Sequence, residues 1–484
     1  MSSVVAKEVC LETGQYGERW FLLMLFCILH ICCVFFHANF GQVSDVYSEY
    51  FDVDPVKIDL LTVSIMLGVL IASPWLASAV SAGTLGLRTS VIGACICLII
   101  AYMILVAASF DSNLFYLVMC GQILNGISLP TLNSIPPTFA ALWFTDSQVG
   151  TAIAINMIGK QFGTVLGYVV PTSVLIPPAG NMSATAKADW MAKTSANIRL
   201  IYIPFVGVLL IVLLILIKHM RDLPLKPPTQ AQAAKRLKTE QNAFKPSPKL
   251  LFRNFFFKTK ELFTNRSFML DSILFGLIYH SDLILIVMLG DIIRTLGESV
   301  QLSIESNRLS GFMMATSSIG SIVGSFAAGK FMDRFKMYSS QASVGIFFIF
   351  ASSLFTLVGF HFENIVSMFI GQALCGFNVM VAVTALVELV TQHTYPANEL
   401  FVTLWLTFVQ EPFVLVHPVF GRLFYFWCGD LYVFMYRTVI LFVGFLLSLG
   451  IDSNYKRLQF EKTKIKNHQL DERTAIDLLP LNCP

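Results

Sequence analysis

Charged and amide side chains interrupt long apolar segments of this chain at two widely separated places. Lys160 and Gln161 lie twelve and thirteen residues after Gln148, where one apolar segment begins, and Glu411 lies inside another. In an α-helix this spacing puts Lys160 and Gln161 about 18–20 Å from the start of the segment. A charged side chain in the middle of a bilayer costs on the order of 2.5–3.5 kcal/mol, so it requires a partner or a solute. These residues indicate a polar site within a membrane.

A short sequence repeat relates the two segments that carry these residues. Residues 121–126 (GQILNG) recur as residues 371–376 (GQALCG), 250 positions later. Adding 250 to Gln161 gives Glu411, so the repeat predicts that these two side chains face each other across a pseudo-two-fold axis. Two other interpretations stay open: Gln161 could be an interhelical hydrogen-bonding residue, and Glu411 could belong to a structural ion pair.

The composition is that of a membrane protein. Hydrophobic residues make up 55% of the chain, charged residues 13%, and the mean hydropathy is +0.69, which excludes an ordinary soluble domain. Apolar runs of about 20 residues, each long enough to cross a bilayer as a helix, lie at 19–43, 59–80, 90–110, 114–141, 148–172, 199–219, 268–290, 306–328, 340–361, 365–390, 400–427 and 431–451. The sequence predicts an all-α membrane protein of twelve helices in two pseudo-symmetric six-helix bundles, typical of the major facilitator superfamily.

The distribution of basic residues predicts the topology. Twelve Lys and Arg residues lie in 218–266 against three acidic residues, so the positive-inside rule puts this stretch and both termini in the cytosol. Contact of this stretch with anionic lipid is expected rather than binding of nucleic acid. The predicted parts are a cytosolic N-terminus, a first bundle, a basic cytosolic linker, a second bundle and a cytosolic tail, at 1–18, 19–219, 220–267, 268–451 and 452–484.

Two Asn-x-Ser sequons fall on opposite sides of this topology. Asn181 lies in the predicted outer loop between helices 5 and 6 and is expected to carry a glycan. Asn265 lies on the cytosolic side and is interpreted as a chance match. In the tail, Leu478 and Leu479 resemble a dileucine sorting signal, but Thr474 stands where an acidic residue is needed. The plasma membrane is therefore preferred over the lysosome.

Signals for catalysis or a bound cofactor are lacking in the sequence. The ten cysteines form no Cys-x-x-Cys pair, and no Walker loop occurs, so a metal site, a cofactor and direct ATP hydrolysis are not expected. We interpret the chain as a non-enzymatic transporter that acts as a monomer. A membrane receptor or sensor that keeps the fold without transport is the alternative from a different class.

A motif between helices 8 and 9 indicates a gate. Gly329, Asp333 and Arg334 resemble the G-x-x-x-D-R motif of the major facilitator superfamily. The glycine is expected to allow a tight turn, and Asp333 to cap the next helix and pair with arginine as a charge lock. The counterpart at 83–88 (GTLGLR) lacks the acidic residue. A solvated turn with incidental charges is the alternative interpretation.

Six further motifs narrow the family. They are YGERW at 16–20, GLR at 86–88, GQ at 121–122, GKQFGTVLG at 159–167, DRFKMY at 333–338 and TYP at 394–396. These motifs resemble the feline leukaemia virus subgroup C receptor-related (FLVCR) family, and residues 124–126 and 130–131 show some likeness to its disrupted-in-renal-carcinoma protein branch. The resemblance runs from about residue 16 to 450. It implies a twelve-helix transporter of a small organic solute, for which members are linked to choline and ethanolamine, haem or pyridoxine.

The resemblance also implies positions for the solute site. Gln161 matches the family's solute-contacting Gln, and Glu411 stands where the family has a second cavity Gln. His37 replaces a Trp of the choline-transporting members, and Tyr279 lies one turn before the position of their Tyr. A choline- or ethanolamine-type amine is the favoured substrate. A haem exporter is the alternative, because imidazole is a common axial ligand of haem iron and the predicted helices contain His30, His37, His280 and His417.

Lys160 needs a partner that the sequence does not identify. Glu411, Asp282 and Glu388 are the candidates, for a structural ion pair or for recognition of substrate charge and proton coupling. A Lys160 side chain that reaches the interface is the remaining possibility. Arg422 and Arg437 are expected toward the outer ends of their helices, where they snorkel or pair.

Overall fold

The computed structural model describes residues 14, 17–83, 86–178, 183–228, 248–300 and 306–459. Asn181 and the tail residues beyond 459 lie outside the described residues. The described chain folds into helices, as its composition requires, because a segment inside lipid must satisfy its backbone hydrogen bonds internally.

The helices are numbered here in chain order. The first half contains α1 (Glu18–Ala38), α2 (Ser44–Phe51), α3 (Pro55–Ala82), α4 (Leu87–Ala108), α5 (Phe115–Trp143), α6 (Asp146–Val174) and α7 (Ala184–His219). Between the halves lies α8 (Pro248–Thr264). The second half contains α9 (Arg266–Tyr279), α10 (Leu283–Val300), α11 (Ser306–Phe335), α12 (Tyr338–His361), α13 (Ile365–Thr394), α14 (Glu399–Gln410), α15 (Pro412–Cys428) and α16 (Asp430–Ser448).

Twelve stretches of the described chain are long and apolar enough to cross a membrane, six on each side of the linker. The predicted all-α fold with twelve spans is confirmed. One helix starts earlier than the apolar run that predicted it. Helix α7 begins at Ala184 rather than near 199, because its first turns are polar but good helix formers capped by Ser183. The predicted linker contains the amphipathic helix α8, which is not among the candidate spans.

The repeated glycines hold corresponding helices together in each half. A Cβ atom at Gly126 would collide with the carbonyl oxygen of Ile65 in α3. A Cβ atom at Gly376 would likewise collide with the carbonyl oxygen of Ser317 in α11. Only a residue without a side chain allows the two backbones to approach so closely. The hexapeptide repeat is therefore a helix-packing motif that both halves use at the equivalent interface.

Two long interfaces join the halves. Helix α3 packs against α14 and α15 on one side, and α6 packs against α11 on the other. We call the end that carries α8 the linker end, and the end that carries the α2–α3 and α15–α16 turns the distal end.

Two membrane spans of the second half are broken near their middle. Helix α9 ends at Tyr279 and α10 starts at Leu283, with His280–Asp282 between them. Helix α14 ends at Gln410 and α15 starts at Pro412, which has no N–H to continue the backbone ladder. Discontinuous helices of this kind expose backbone and polar side chains in the membrane centre, where transporters bind their solutes.

Candidate solute site

Lys160 contacts one residue of each half of the protein. Its Nζ donates a hydrogen bond of 3.0 Å to Oδ1 of Asn133 in α5 and lies 5.2 Å from the ring centroid of Tyr279 at the end of α9. A cation over an aromatic face is attracted by the ring quadrupole. Both Lys160 and Tyr279 are only half-buried. The hydrogen-bonding partner Asn133 was missed from the sequence, because an amide carries none of the charge by which partners were sought.

Glu411 lies at the break between α14 and α15 and is 2% exposed. It precedes the first turn of α15, whose unpaired backbone N–H groups favour a negative charge. Lys160 interacts electrostatically with Glu411. No ion pair within 4 Å joins Lys160 to Glu411 in the described part of the chain. Of the candidate partners, the structure thus brings Glu411 near Lys160 without direct contact.

The three residues lie at one depth. Counted from the linker-end starts of their spans at Asp146, Arg266 and Glu399, Lys160, Tyr279 and Glu411 are about 18–21 Å along the helices. Lys160 comes from the first half, while Tyr279 and Glu411 come from the second. We call these three residues, to which both halves contribute, the midplane cluster.

Gln161 and His37 border this cluster. Gln161 is 9% exposed, and its Nε2 lies 3.6 Å from Sδ of Met380 in α13 of the second half. His37 is half-buried with a buried Nδ1 that has no hydrogen-bond partner among the described residues, and it interacts electrostatically with Lys160. The proposed direct opposition of Gln161 and Glu411 stays a prediction, since the partner that Gln161 contacts is Met380.

A histidine and an asparagine extend the cluster toward α1. His30 Nδ1 lies 3.0 Å from Nδ2 of Asn156 in α6, and both side chains are fully buried. His30 also interacts electrostatically with Lys160. Among the described residues no group of three or more His, Cys, Asp or Glu side chains is arranged to hold a metal ion.

Asp282, which the sequence offered as a partner of Lys160, pairs with a different residue. It pairs with Arg437 of α16, whose guanidinium is fully buried and also donates to Oε1 of Gln372 at 3.2 Å. Of the two alternatives expected for Arg437, snorkelling or pairing, the structure shows pairing, because Asp282 at the helix break attracts the guanidinium into the core. Glu388 accepts a hydrogen bond of 2.8 Å from Gln392 in its own helix.

Arg422 joins the two halves at the distal end. Its Nε donates to Oδ2 of Asp59 in α3 at 2.7 Å, and its NH1 to Oδ2 of Asp291 in α10 at 2.7 Å. Asp291 also pairs with Arg294, which lies 3.0 Å from Oδ2 of Asp45 in the first half. Arg422 is 7% exposed. These bridges close the distal end of the central site.

The residues of the predicted gate lie in a helix rather than in a turn. Helix α11 continues to Phe335, so the expected tight turn at Gly329 is wrong. Lys336 ends helix α11 with a left-handed backbone conformation. Met337 is the N-cap of α12, the position that the sequence predicts for Asp333. Arg334 is exposed, with its guanidinium 5.4 Å from the Phe335 ring. The side chain of Asp333 lies outside the described residues.

Twelve spans in two halves, broken midplane helices and a polar site between the halves define the class of membrane carriers. The family model described as Major Facilitator Superfamily matches residues 24–410. The chain belongs to the Major Facilitator Superfamily.

Relatives of this chain carry names that refer to amine transport. It is 25% identical over 401 residues to the choline/ethanolamine transporter FLVCR1 of Mus musculus, covering 80% of this chain and 66% of that protein. It is 23% identical over 453 residues to the choline/ethanolamine transporter flvcr2a of Danio rerio, covering 92% and 89%. The resemblance to the FLVCR family is confirmed, at modest identity.

A solved structure supports the fold. The fucose:proton symporter FucP of E. coli is similar with a TM-score of 0.61 at 13% identity, covering 90% of this chain and 100% of that chain. At this identity the likeness concerns the fold alone.

Proposed function

We propose that this protein is a carrier that moves a small organic amine of the choline or ethanolamine class across a membrane by alternating access. The observation that carries the proposal is the midplane cluster of Lys160, Tyr279 and Glu411, to which both halves contribute. A site shared by two halves can be exposed to either side when the halves rock against each other. The names of the choline/ethanolamine transporters to which the chain is similar support the amine class.

The moving bodies are proposed to be 19–219 and 268–451, joined by the linker 220–267. The half-buried ring of Tyr279 and the half-buried ammonium of Lys160 favour a carrier over a receptor whose centre is filled by aromatic packing. Haem export is not favoured by a comparable observation. We therefore keep the amine class as the proposed substrate of this multi-pass membrane protein.

The linker is proposed to contact anionic lipid on the cytosolic side. In α8, Phe252 and Phe257 are 66% and 68% exposed, and Arg253 and Lys258 are exposed beside them. Apolar rings next to cations suit the boundary between acyl chains and phosphate headgroups. With the linker in the cytosol, both termini are proposed to be cytosolic and the distal end to lie outside the cytosol. The proposed compartment is the plasma membrane.

The topology predicts one glycan. If the distal end faces the lumen during synthesis, Asn181 is modified and Asn265 is not, because Asn265 caps α9 at the linker end. Asn181→Gln should abolish the glycosidase-sensitive mass shift of the expressed protein. Asn265→Gln serves as the control. A shift that survives Asn181→Gln and disappears in Asn265→Gln would reverse the proposed orientation.

Uptake of labelled choline and ethanolamine tests the proposed function. Gln161→Ala should abolish protein-dependent uptake at unchanged surface abundance, because it removes an amide that reaches the other half beside the charged cluster. Gln459→Ala, a change of an exposed glutamine outside the spans, is the matched control and should leave uptake unchanged. Wild-type cells without protein-dependent flux of either amine would refute the amine proposal.

A further inference from the structure

The aromatic face in the centre of the protein already holds a cation. The ammonium of Lys160 lies 5.2 Å from the Tyr279 ring centroid, while Asn133 fixes it from the other side. A solute that carries only a positive charge would approach this ring against the repulsion of Lys160. The ring alone therefore does not make a site for a simple cation.

A carboxyl group of the second half lies at the depth of Lys160 without pairing with it. Glu411 is almost fully buried at the break between α14 and α15, about as far from the linker end as Lys160 is in α6. No contact within 4 Å joins them in the regions that the structure describes. A direct buried pair would neutralise both groups, whereas two separated charges each require a counter-charge.

We propose that the transported amine also carries an acid group, so that the solute is a zwitterion. Its carboxylate would accept hydrogen bonds from Lys160, whose ammonium has donors beyond the one given to Asn133. Its ammonium would lie toward Glu411 and the face of Tyr279. Choline leaves Lys160 uncompensated and a simple carboxylate leaves Glu411 uncompensated, while a zwitterion compensates both. This inference rests on the proposed carrier function and narrows its substrate.

Three probes of one shape separate these charge classes. Glycine betaine carries a trimethylammonium and a carboxylate, choline carries the trimethylammonium alone, and 3,3-dimethylbutanoate carries the carboxylate with carbon in place of nitrogen. In proteoliposomes with the full chain, uptake of labelled glycine betaine should exceed that of choline by about tenfold or more. Unlabelled 3,3-dimethylbutanoate should compete weakly with glycine betaine.

Lys160→Gln tests the assigned role of the cation. Removing the ammonium leaves Glu411 and Tyr279 as a cation site, so the preference should reverse in favour of choline by about tenfold. Lys187→Gln is the matched control, because Lys187 Nζ pairs with Oε1 of Glu49 at 2.5 Å, at the distal end of the protein. This variant should keep the wild-type preference for glycine betaine over choline. An unchanged preference in Lys160→Gln would contradict the inference.

A binding measurement on the wild-type protein does not depend on any variant. Glycine betaine should raise the unfolding temperature of the purified chain more than choline or 3,3-dimethylbutanoate at equal concentration. Choline flux equal to or above glycine betaine flux in the wild type would overturn the zwitterion inference and leave the carrier proposal intact. The absence of protein-dependent flux of glycine betaine, choline and ethanolamine alike would overturn both.

Discussion

Replacing Arg422 with alanine is expected to open the distal end of the protein. Arg422 connects Asp59 of the first half to Asp291 of the second, with both contacts at 2.7 Å. Without the guanidinium, the buried carboxylate of Asp59 would lose its cation and face Asp291, which keeps Arg294. Breaking a buried ion pair in this way costs about 3–5 kcal/mol.

The cost applies to the closed conformation alone. When the distal end opens, Asp59 and Asp291 separate and gain water, so the open conformation avoids the penalty. Since each 1.4 kcal/mol is a factor of ten, the population should shift by about two orders of magnitude or more. Transport should fall, because a carrier that cannot close its distal end cannot complete the cycle.

Spin labels on the distal ends of the two halves measure this shift. Labels at Lys57→Cys and Phe362→Cys, both exposed positions, should move apart in Arg422→Ala by pulsed electron–electron distance measurement. The background needs the exposed Cys120 and Cys428 replaced by serine, together with Cys10 and Cys483, which lie outside the described residues.

Two controls separate gating from general damage. Arg199→Ala removes a distal arginine that contacts Ser195 and Phe110 within the first half, and should leave the label distance unchanged. Adding Asp59→Asn to Arg422→Ala removes one repelling carboxylate and should partly restore the short distance. A distance distribution equal to the wild type in Arg422→Ala would show that this network does not hold the distal end closed.

The sequence predicted the features that depend on composition and periodicity. Apolar runs fixed the number of spans, and the hexapeptide repeat correctly related the two halves. Depth counting placed Lys160 near the middle of its helix, because the rise per residue is constant in a helix. These inferences required no knowledge of which helices are neighbours.

Features that depend on helix neighbours were missed. Asn133 was not considered as the partner of Lys160, and Arg422 was expected to snorkel or pair rather than to join the halves. The contact of α5 with α6, and of α15 with both α3 and α10, arises from packing that one sequence does not reveal. Helix α8 escaped notice because its exposed phenylalanines and cations form no apolar run of membrane length.

Replacing Asp282 with asparagine is expected to destabilise the protein strongly. Arg437 is fully buried in the second half, and Asp282 is the acidic residue with which it pairs. The remaining contacts, with Gln372 Oε1 and Cys375 Sγ, are to neutral groups. An uncompensated buried guanidinium should cost about 3–5 kcal/mol of unfolding free energy, well above an ordinary point substitution.

Equilibrium unfolding in a detergent titration measures this cost. Arg457→Met is the matched control, since Arg457 and Glu399 form a largely exposed pair at the linker end. Exposed ion pairs contribute about 0–1 kcal/mol to the free energy of unfolding, so this change should alter stability very little. An Asp282→Asn protein as stable as the wild type would contradict the assigned pairing.

The double substitution Asp282→Leu with Arg437→Met separates stability from positioning. Apolar residues of similar volume can replace a buried ion pair without loss, so unfolding free energy should return close to the wild-type value. Asp282, however, is the last residue of the break between α9 and α10, and its pairing anchors the helix end that carries Tyr279. Transport should therefore remain low in the stable double variant, measured per molecule at the membrane. Full recovery of both stability and transport would show that the ion pair stabilises the core without positioning the site.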